Sequence, residues 1–315
     1  MEINKIYNGD CLDVMSNFPD KSIDCVITSP PYWQMRNYGW DGQWGLESTF
    51  EEYLINLWKL MDEISRVLKE CGSVWINLGD SYSTVSGGMR TGTTGKVSEK
   101  NRLANRIVQQ KPEGITDKCL LLLPHRFAIG CIDRKWIVRN TIIWGKPNGM
   151  PESVTDRFSK KHEYIFLMVK NIKYYFDLDA IRDIHKWEHT DKRSLISGGS
   201  KSGGKCVSGN YSTSNVSYNK MGKNPGDVSD FWAITTKPNM TNHFATFNTN
   251  LIDKPIIAGC PRNGIILDPF CGTGTTLFRA KELGRNFIGI EGNKEYIKIA
   301  EERLKQEYLS FNEEL

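Results

Sequence analysis

Three features of the sequence predict an α/β fold with a doubly wound, mostly parallel sheet. Apolar runs such as Cys25-Val26-Ile27 and Ile265-Ile266-Leu267 stop abruptly at loops rich in proline or glycine, as buried parallel strands do. Segments with apolar residues at helical spacing lie between them, the longest from Phe50 to Leu68. Two strands end in an acidic residue, Asp268 and Glu291, where open α/β sheets place their ligands. At 315 residues the economical arrangement is one catalytic core carrying insertions.

Taken in order, Ile3 to Tyr7 is expected as the first strand, with a turn at Asn8-Gly9-Asp10 and a short helix over Leu12 to Asn17. Asp10 can cap that helix, present its carboxylate at the working edge of the sheet, or do both. Ser22 to Ile27 leads into the stretch DCVITSPPY, residues 24–32. Consecutive prolines cannot donate backbone hydrogen bonds and hold φ near −65°, so the chain leaves the sheet in a stiff, extended loop. That loop offers the Ser29 hydroxyl, the Pro30 carbonyl and the Tyr32 ring face, which suit a planar ring carrying an exocyclic amine, such as a nucleobase lifted from its helix. An ordinary Pro-Pro turn is the plainer alternative.

The aromatic run Trp33 to Trp40, followed by Gly42 and Gly45, is expected as a mobile lid over substrate, or else as a surface hydrophobic cluster, with Arg36 available to a phosphate or to solvent. The Phe50–Leu68 helix has a cappable acidic start in Glu47-Ser48-Thr49-Phe50-Glu51-Glu52 and reads as structural. Gly72 to Leu78 is a strand, closed by Gly79-Asp80-Ser81-Tyr82. Residues 83–118 then turn polar and basic, a flexible insertion suited to a DNA backbone, or a solvated linker. A helix over Leu120 to Ile132 and strands over Trp136 to Trp144 and His162 to Val169 follow, with Tyr174-Tyr175-Phe176 as a hairpin partner of the last. His162 and Glu163 read as structural, because no second ligand pair stands at a spacing that would hold a metal.

Residues 186–228 change character again: between Lys192 and Asn224 stand six basic side chains and no acid, amid Gly, Ser and Asn. This is the candidate target-recognition region, its lysines and arginines for phosphates and its amides and aromatics for base edges. The run GIILDPFCGTGTT, residues 264–276, is a strand, an acid and a glycine turn opening a helix; Gly272 and Gly274 let the backbone approach a ligand. Glu291, ending the strand Asn286 to Glu291, suits two ribose hydroxyls. A final helix spans Tyr296 to Tyr308.

TSPPY combined with DPFCGTGTT and GIE resembles the amino-group DNA methyltransferases that use S-adenosylmethionine, over most of the chain outside 83–118 and 186–228. The catalytic loop here precedes the glycine loop, which resembles the group called beta. The resemblance implies a Rossmann-like class I methyltransferase core, at 1–185 and 229–315, with inserted DNA-recognition loops. It also implies Ser29, Pro30, Pro31 and Tyr32 as the catalytic loop, with Trp144 or Lys146 opposite Tyr32. Asp10, Thr28, Phe247, Asp268, Phe270, Gly272, Thr273, Gly274, Thr275 and Glu291 would be the cofactor side. Phe244 and Asn248 stand where the family often has proline, so that loop is expected to bend differently. Serine leading the PPY loop points to N4 of cytosine, and aspartate there usually goes with N6 of adenine.

Cytosine C5 chemistry is disfavoured, since it generally uses a Pro-Cys loop and the chain has no Pro-Cys pair. Adenine N6 methylation, methylation of RNA or of a protein amide, and a non-enzymatic DNA-binding module stay open in that order. Double-stranded DNA is the expected partner; a cognate restriction endonuclease and a homodimer are open. The net charge of +4 would not by itself argue for nucleic acid. Eight cysteines without a CxxC pair are expected as free thiols, and the amino terminus, lacking a secretory signal, leads to a cytoplasmic expectation.

Overall fold

The computed structural model describes residues 1–83, 89–91, 106–108, 112–182, 230–236 and 249–305. The chain divides into two units: Met1–Asp177 with Asp230–Leu315, and Leu178–Ser229. The second is described only over residues 178–182, where Asp179–Ile181 form a 3-10 turn.

The first unit is built on an eight-stranded sheet of order β1-β10-β9-β2-β3-β7-β6-β8. In chain order these are β1 (Lys5–Asn8), β2 (Ile23–Thr28), β3 (Leu68–Leu78), β6 (Ile137–Gly145), β7 (His162–Val169), β8 (Phe231–Ala233), β9 (Ile265–Asp268) and β10 (Asn286–Glu291). Neighbours are parallel except where β7 meets β3 and β6, so β7 alone runs against the rest. The expected hairpin partner at 174–176 is absent as a strand. Both edges of β7 are already taken by β3 and β6, and the Tyr175 amide donates instead to the Cys71 carbonyl at 2.8 Å. Within the insertion expected to be flexible, β4 (Met89–Thr91) and β5 (Arg106–Val108) pair antiparallel.

Every residue of β2 is buried, as expected of a strand covered on both faces. Side chains alternate between two cores. Val26, Val74, Ile76 and Leu267 face one with helices α1 (Cys11–Met15), α2 (Phe50–Val67) and α3 (Leu123–Asp133). Cys25, Ile27, Trp75 and Ile266 face the other with α4 (Thr249–Gly259) and α5 (Thr275–Glu282). A last helix, α6 (Lys294–Lys305), follows β10.

The start of α2 is fixed by a capping box: the Glu52 amide donates to Thr49 Oγ1 at 3.1 Å, and the Thr49 amide donates to Glu52 Oε2 at 3.3 Å. The third helix begins later than the sequence suggests because Leu120 bridges to Tyr82 and the Leu121 amide donates to the Ser81 carbonyl. Its first amide, of Leu123, is capped from a distance by Asp80 Oδ1 at 3.0 Å.

Candidate active site

Chain order reverses between β9 and β2, and that switch brings the two sequence anchors together. With Cys25 opposite Ile266 and Val26 opposite Leu267, the carboxyl ends of the two strands are adjacent. The Thr28 hydroxyl donates to Asp268 Oδ1 at 2.7 Å, joining groups 240 residues apart. Asp268 is 1% exposed, and burial pushes its carboxyl up to about 6, opposed by the Thr28 hydroxyl and the Phe270 amide.

The glycine loop bends back along β10. The Gly272 amide donates to Glu291 Oε2 at 2.9 Å and the Asn293 amide to Glu291 Oε1 at 2.8 Å. Burial raises the Glu291 carboxyl while these amides pull it down, and each oxygen keeps a lone pair for a hydroxyl donor. The two loop glycines differ in purpose. Gly272, at φ +52°, has open space where a side chain would stand, so a ligand can approach its backbone. Gly274, at φ +77°, faces Ala300, whose Cβ would lie 2.8 Å from an added methyl; here glycine lets α6 pack against the loop. Thr275 is buried, and its hydroxyl accepts from Arg303 Nη1 at 2.9 Å; Thr273 is half-buried.

In the segment after the PPY loop, Trp40 and the following Trp44 pack toward the strand ends that carry the acids. Trp44 Nε1 donates to Asp10 Oδ2 at 2.8 Å, and its ring meets Phe270 edge-on with centroids 5.3 Å apart. Trp40 covers Gly292, where a methyl would fall 2.2 Å from the indole, and Asn293 Nδ2 donates to the Tyr38 carbonyl at 2.9 Å. Ring burial against Phe270 and Gly292 draws the segment to this side. Arg36, considered for a phosphate, has its Nη1 buried without a partner. Asp10 also caps α1, accepting from the Leu12 amide at 2.8 Å.

Pro30 ends a β2 extension with no regular structure through Tyr32. The loop is held from behind by Gly45, whose missing side chain makes room for the Tyr32 carbonyl and the Pro31 ring. The Tyr32 ring rests on Gly79, just past β3; a methyl there would come within 2.7 Å of Cε2. Its hydroxyl lies 2.8 Å from Glu163 Oε2 and 3.0 Å from Asn77 Oδ1, and Ser29 Oγ stands 3.5 Å from it. Burial and the Glu163 charge both raise the Tyr32 phenol, so it is a neutral donor. The other oxygen of Glu163 is paired with Lys146 Nζ, which sits 4.3 Å from the centre of the Trp144 ring.

Glu163, read as structural in the sequence, is therefore part of this edge. Asn77 and Gly79 were missed as well. The available signal was a charged residue opening the apolar strand His162–Val169, whose partner 131 residues away only the fold supplies. His162 stays outside the chain, with Nε2 3.0 Å from the Tyr164 hydroxyl. Phe247 and the surrounding 243–248 segment, residues 186–228, and most of 83–118 lie outside the described residues.

Comparison with known proteins matches this architecture. A DNA methylase family model, N6_N4_Mtase, matches residues 23–302. Type II methyltransferase M.Cfr9I of Citrobacter freundii is 37% identical over 310 residues, covering 98% of this chain and 90% of that protein. M.SmaI of Serratia marcescens is 37% identical over 300 residues, covering 95% and 90%. Among solved structures, PvuII DNA methyltransferase (cytosine-N4-specific) superimposes with a TM-score of 0.63 at 16% identity, covering 98% of this chain and 89% of that one. M1.HpyAVI in complex with SAM does so with a TM-score of 0.54 at 18% identity, covering 96% and 99%. With its PPY loop ahead of its glycine loop and matches running along nearly its whole length, the chain belongs to the N6/N4 amino DNA methylase family, in its beta arrangement.

Proposed function

We propose that this DNA methyltransferase acts on the N4 amine of cytosine in duplex DNA, as the modification partner of a restriction endonuclease. The observation that carries the choice of base is Ser29: the position facing the target amine holds a neutral hydroxyl, with Tyr32 Oη at 3.5 Å. The relatives' type II names support the restriction-modification setting.

S-adenosylmethionine supplies an electrophilic methyl on a sulfonium. The residues fit such a cation: Asp268, Glu291 and Asp10 gather three carboxylates at one edge, and the backbone at Gly272 is open to approach. Glu291 would take the ribose hydroxyls and Asp10 the adenine amine, with Phe270 beside the ring and Thr28 holding Asp268 in place. Gly272, Thr273, Gly274 and Thr275 shape the loop between them.

An exocyclic cytosine amine is a poor nucleophile, since its lone pair is delocalised into the ring. Hydrogen bonds from its two hydrogens to Ser29 Oγ and the Pro30 carbonyl favour a pyramidal nitrogen, while Pro31 stiffens the loop and Tyr32 stacks on the base. Alignment and charge placement then do most of the catalysis. Residues 186–228 are the proposed target-recognition region and 83–118 a backbone contact, both by their basic composition.

The test is incubation with unmethylated DNA and methyl-labelled S-adenosylmethionine, followed by digestion to nucleosides and mass spectrometry. Label in N4-methylcytosine, lost in Ser29→Ala, supports the reading. Label in N6-methyladenine overturns the inference from Ser29.

A further inference from the structure

We propose that Glu163 is a positioning residue for methyl transfer, acting through Tyr32 to make Ser29 an acceptor toward the target amine. The inference rests on the amino-methyltransferase reading of this site, and it holds whichever exocyclic amine is the target.

A hydroxyl both donates and accepts, so Ser29 could as readily turn its proton toward a bound base, where it would repel the amine's hydrogens. Something must fix its direction, and the structure assigns that task to the groups beyond Tyr32. The Tyr32 hydroxyl has one proton. It meets two acceptors, Glu163 Oε2 at 2.8 Å and Asn77 Oδ1 at 3.0 Å. The orientation of the Asn77 amide is not arbitrary, because its Nδ2 donates to the Tyr164 carbonyl at 3.1 Å, leaving Oδ1 for Tyr32. With its proton held there, Tyr32 presents only lone pairs to Ser29, and the Ser29 hydroxyl is the donor across the 3.5 Å gap. Ser29 then keeps its lone pairs for the hydrogens of the target amine.

Glu163 is the anion that sets the direction, since a hydrogen bond to a charged acceptor is about twice as strong as a neutral one. Its side chain is 15% exposed, and its opposite oxygen pairs with Lys146, itself 20% exposed. The 3.5 Å separation is long for a hydroxyl pair, and catalytic hydrogen bonds commonly tighten when substrate enters. The same contacts hold the Tyr32 ring against Gly79.

The experiment measures single-turnover methylation of duplex DNA by wild type, Glu163→Gln, Tyr32→Phe and the double variant, with KM for DNA, Kd for S-adenosylmethionine and melting temperature alongside. Glutamine keeps the shape and removes the charge, and phenylalanine keeps the stacking face and removes the hydroxyl. Each single variant is expected to slow the methylation step about tenfold, with KM and Kd within about twofold of wild type and the double variant no slower than Tyr32→Phe. Wild-type rates in Glu163→Gln, or losses that multiply in the double variant, overturn the proposal. A loss of rate matched by a loss of cofactor affinity and melting temperature makes Glu163 structural and overturns it too. Should Glu163→Gln not fold, Tyr32→Phe at the wild-type rate overturns it alone. Failure of the wild-type enzyme to label any DNA base would instead refute the functional reading on which the inference rests.

Discussion

Gly79→Ala tests most directly whether the pose of Tyr32 governs the reaction. A methyl at Gly79 would sit 2.7 Å from Tyr32 Cε2 and 3.0 Å from Cδ2. Carbon atoms settle at about 3.5 Å, so the ring must retreat by about 0.8 Å. It cannot do so freely, because its hydroxyl is held by Glu163 and Asn77 and its carbonyl accepts from the Met35 amide. A displacement approaching 1 Å at a reacting group costs on the order of 10²-fold in rate, or about 2.7 kcal/mol of barrier. Gly79 does not have a positive φ, so alanine strains no backbone there and reduces unfolded-state entropy, worth about 0.4–1 kcal/mol in favour of folding. The expected result is therefore a single-turnover rate reduced 10- to 100-fold, by order of magnitude, in a protein that melts within a few degrees of wild type and binds S-adenosylmethionine normally. Measured rate and melting temperature decide it. Wild-type turnover in Gly79→Ala would refute the claim that Tyr32 must lie where the structure puts it.

Three further outcomes follow from the same contacts. Asp268, pushed up to about 6, binds a proton in the fold that the unfolded chain has already released, so this group's contribution to stability declines as pH rises from about 4 to about 6. The ionised form is the one that attracts a sulfonium; Kd for S-adenosylmethionine, followed by calorimetry, should weaken about tenfold from pH 7.5 to pH 5, and Asp268→Asn should reduce that dependence, leaving the part due to Glu291. Trp44→Phe keeps the ring edge on Phe270 but removes the donor to Asp10, a bond to a charged group worth about 1.5–3 kcal/mol. The denaturation midpoint should fall, and the tryptophan emission change on adding S-adenosylmethionine should shrink. Thr49→Ala opens the capping box of α2 and should cost about 1 kcal/mol by denaturant titration, with the methylation rate unchanged.

Much of this architecture was legible in the chain because its signals are local. A proline pair after Cys25-Val26-Ile27, an acid and glycines after Ile265-Ile266-Leu267, and the helical spacing of Phe50 to Val67 each declare an element through backbone preference or periodicity. The beta order of motifs and the candidate groups Ser29, Tyr32, Asp268 and Glu291 could be read in the same way. The sequence did not reveal where the aromatic run after Tyr32 would settle. Its composition suits any apolar surface, and its place over Asp10, Phe270 and Gly292 depends on three strand ends that only the sheet brings together. Nor did it separate Gly272, which leaves room for a ligand, from Gly274, which leaves room for Ala300.

The sequence by itself determined the class of fold, the family and the chemical groups of the proposed catalytic loop, since each is written within runs of about ten residues. Tertiary structure alone decided which distant side chains complete the site. Thr28 met Asp268 because chain order reverses between adjacent parallel strands, and Glu163 reached Tyr32 because the one reversed strand, β7, starts at the edge where β2 and β3 end. Such pairings carry no local signature: a carboxylate at the head of an apolar strand looks the same in sequence whether it faces solvent or a buried tyrosine hydroxyl.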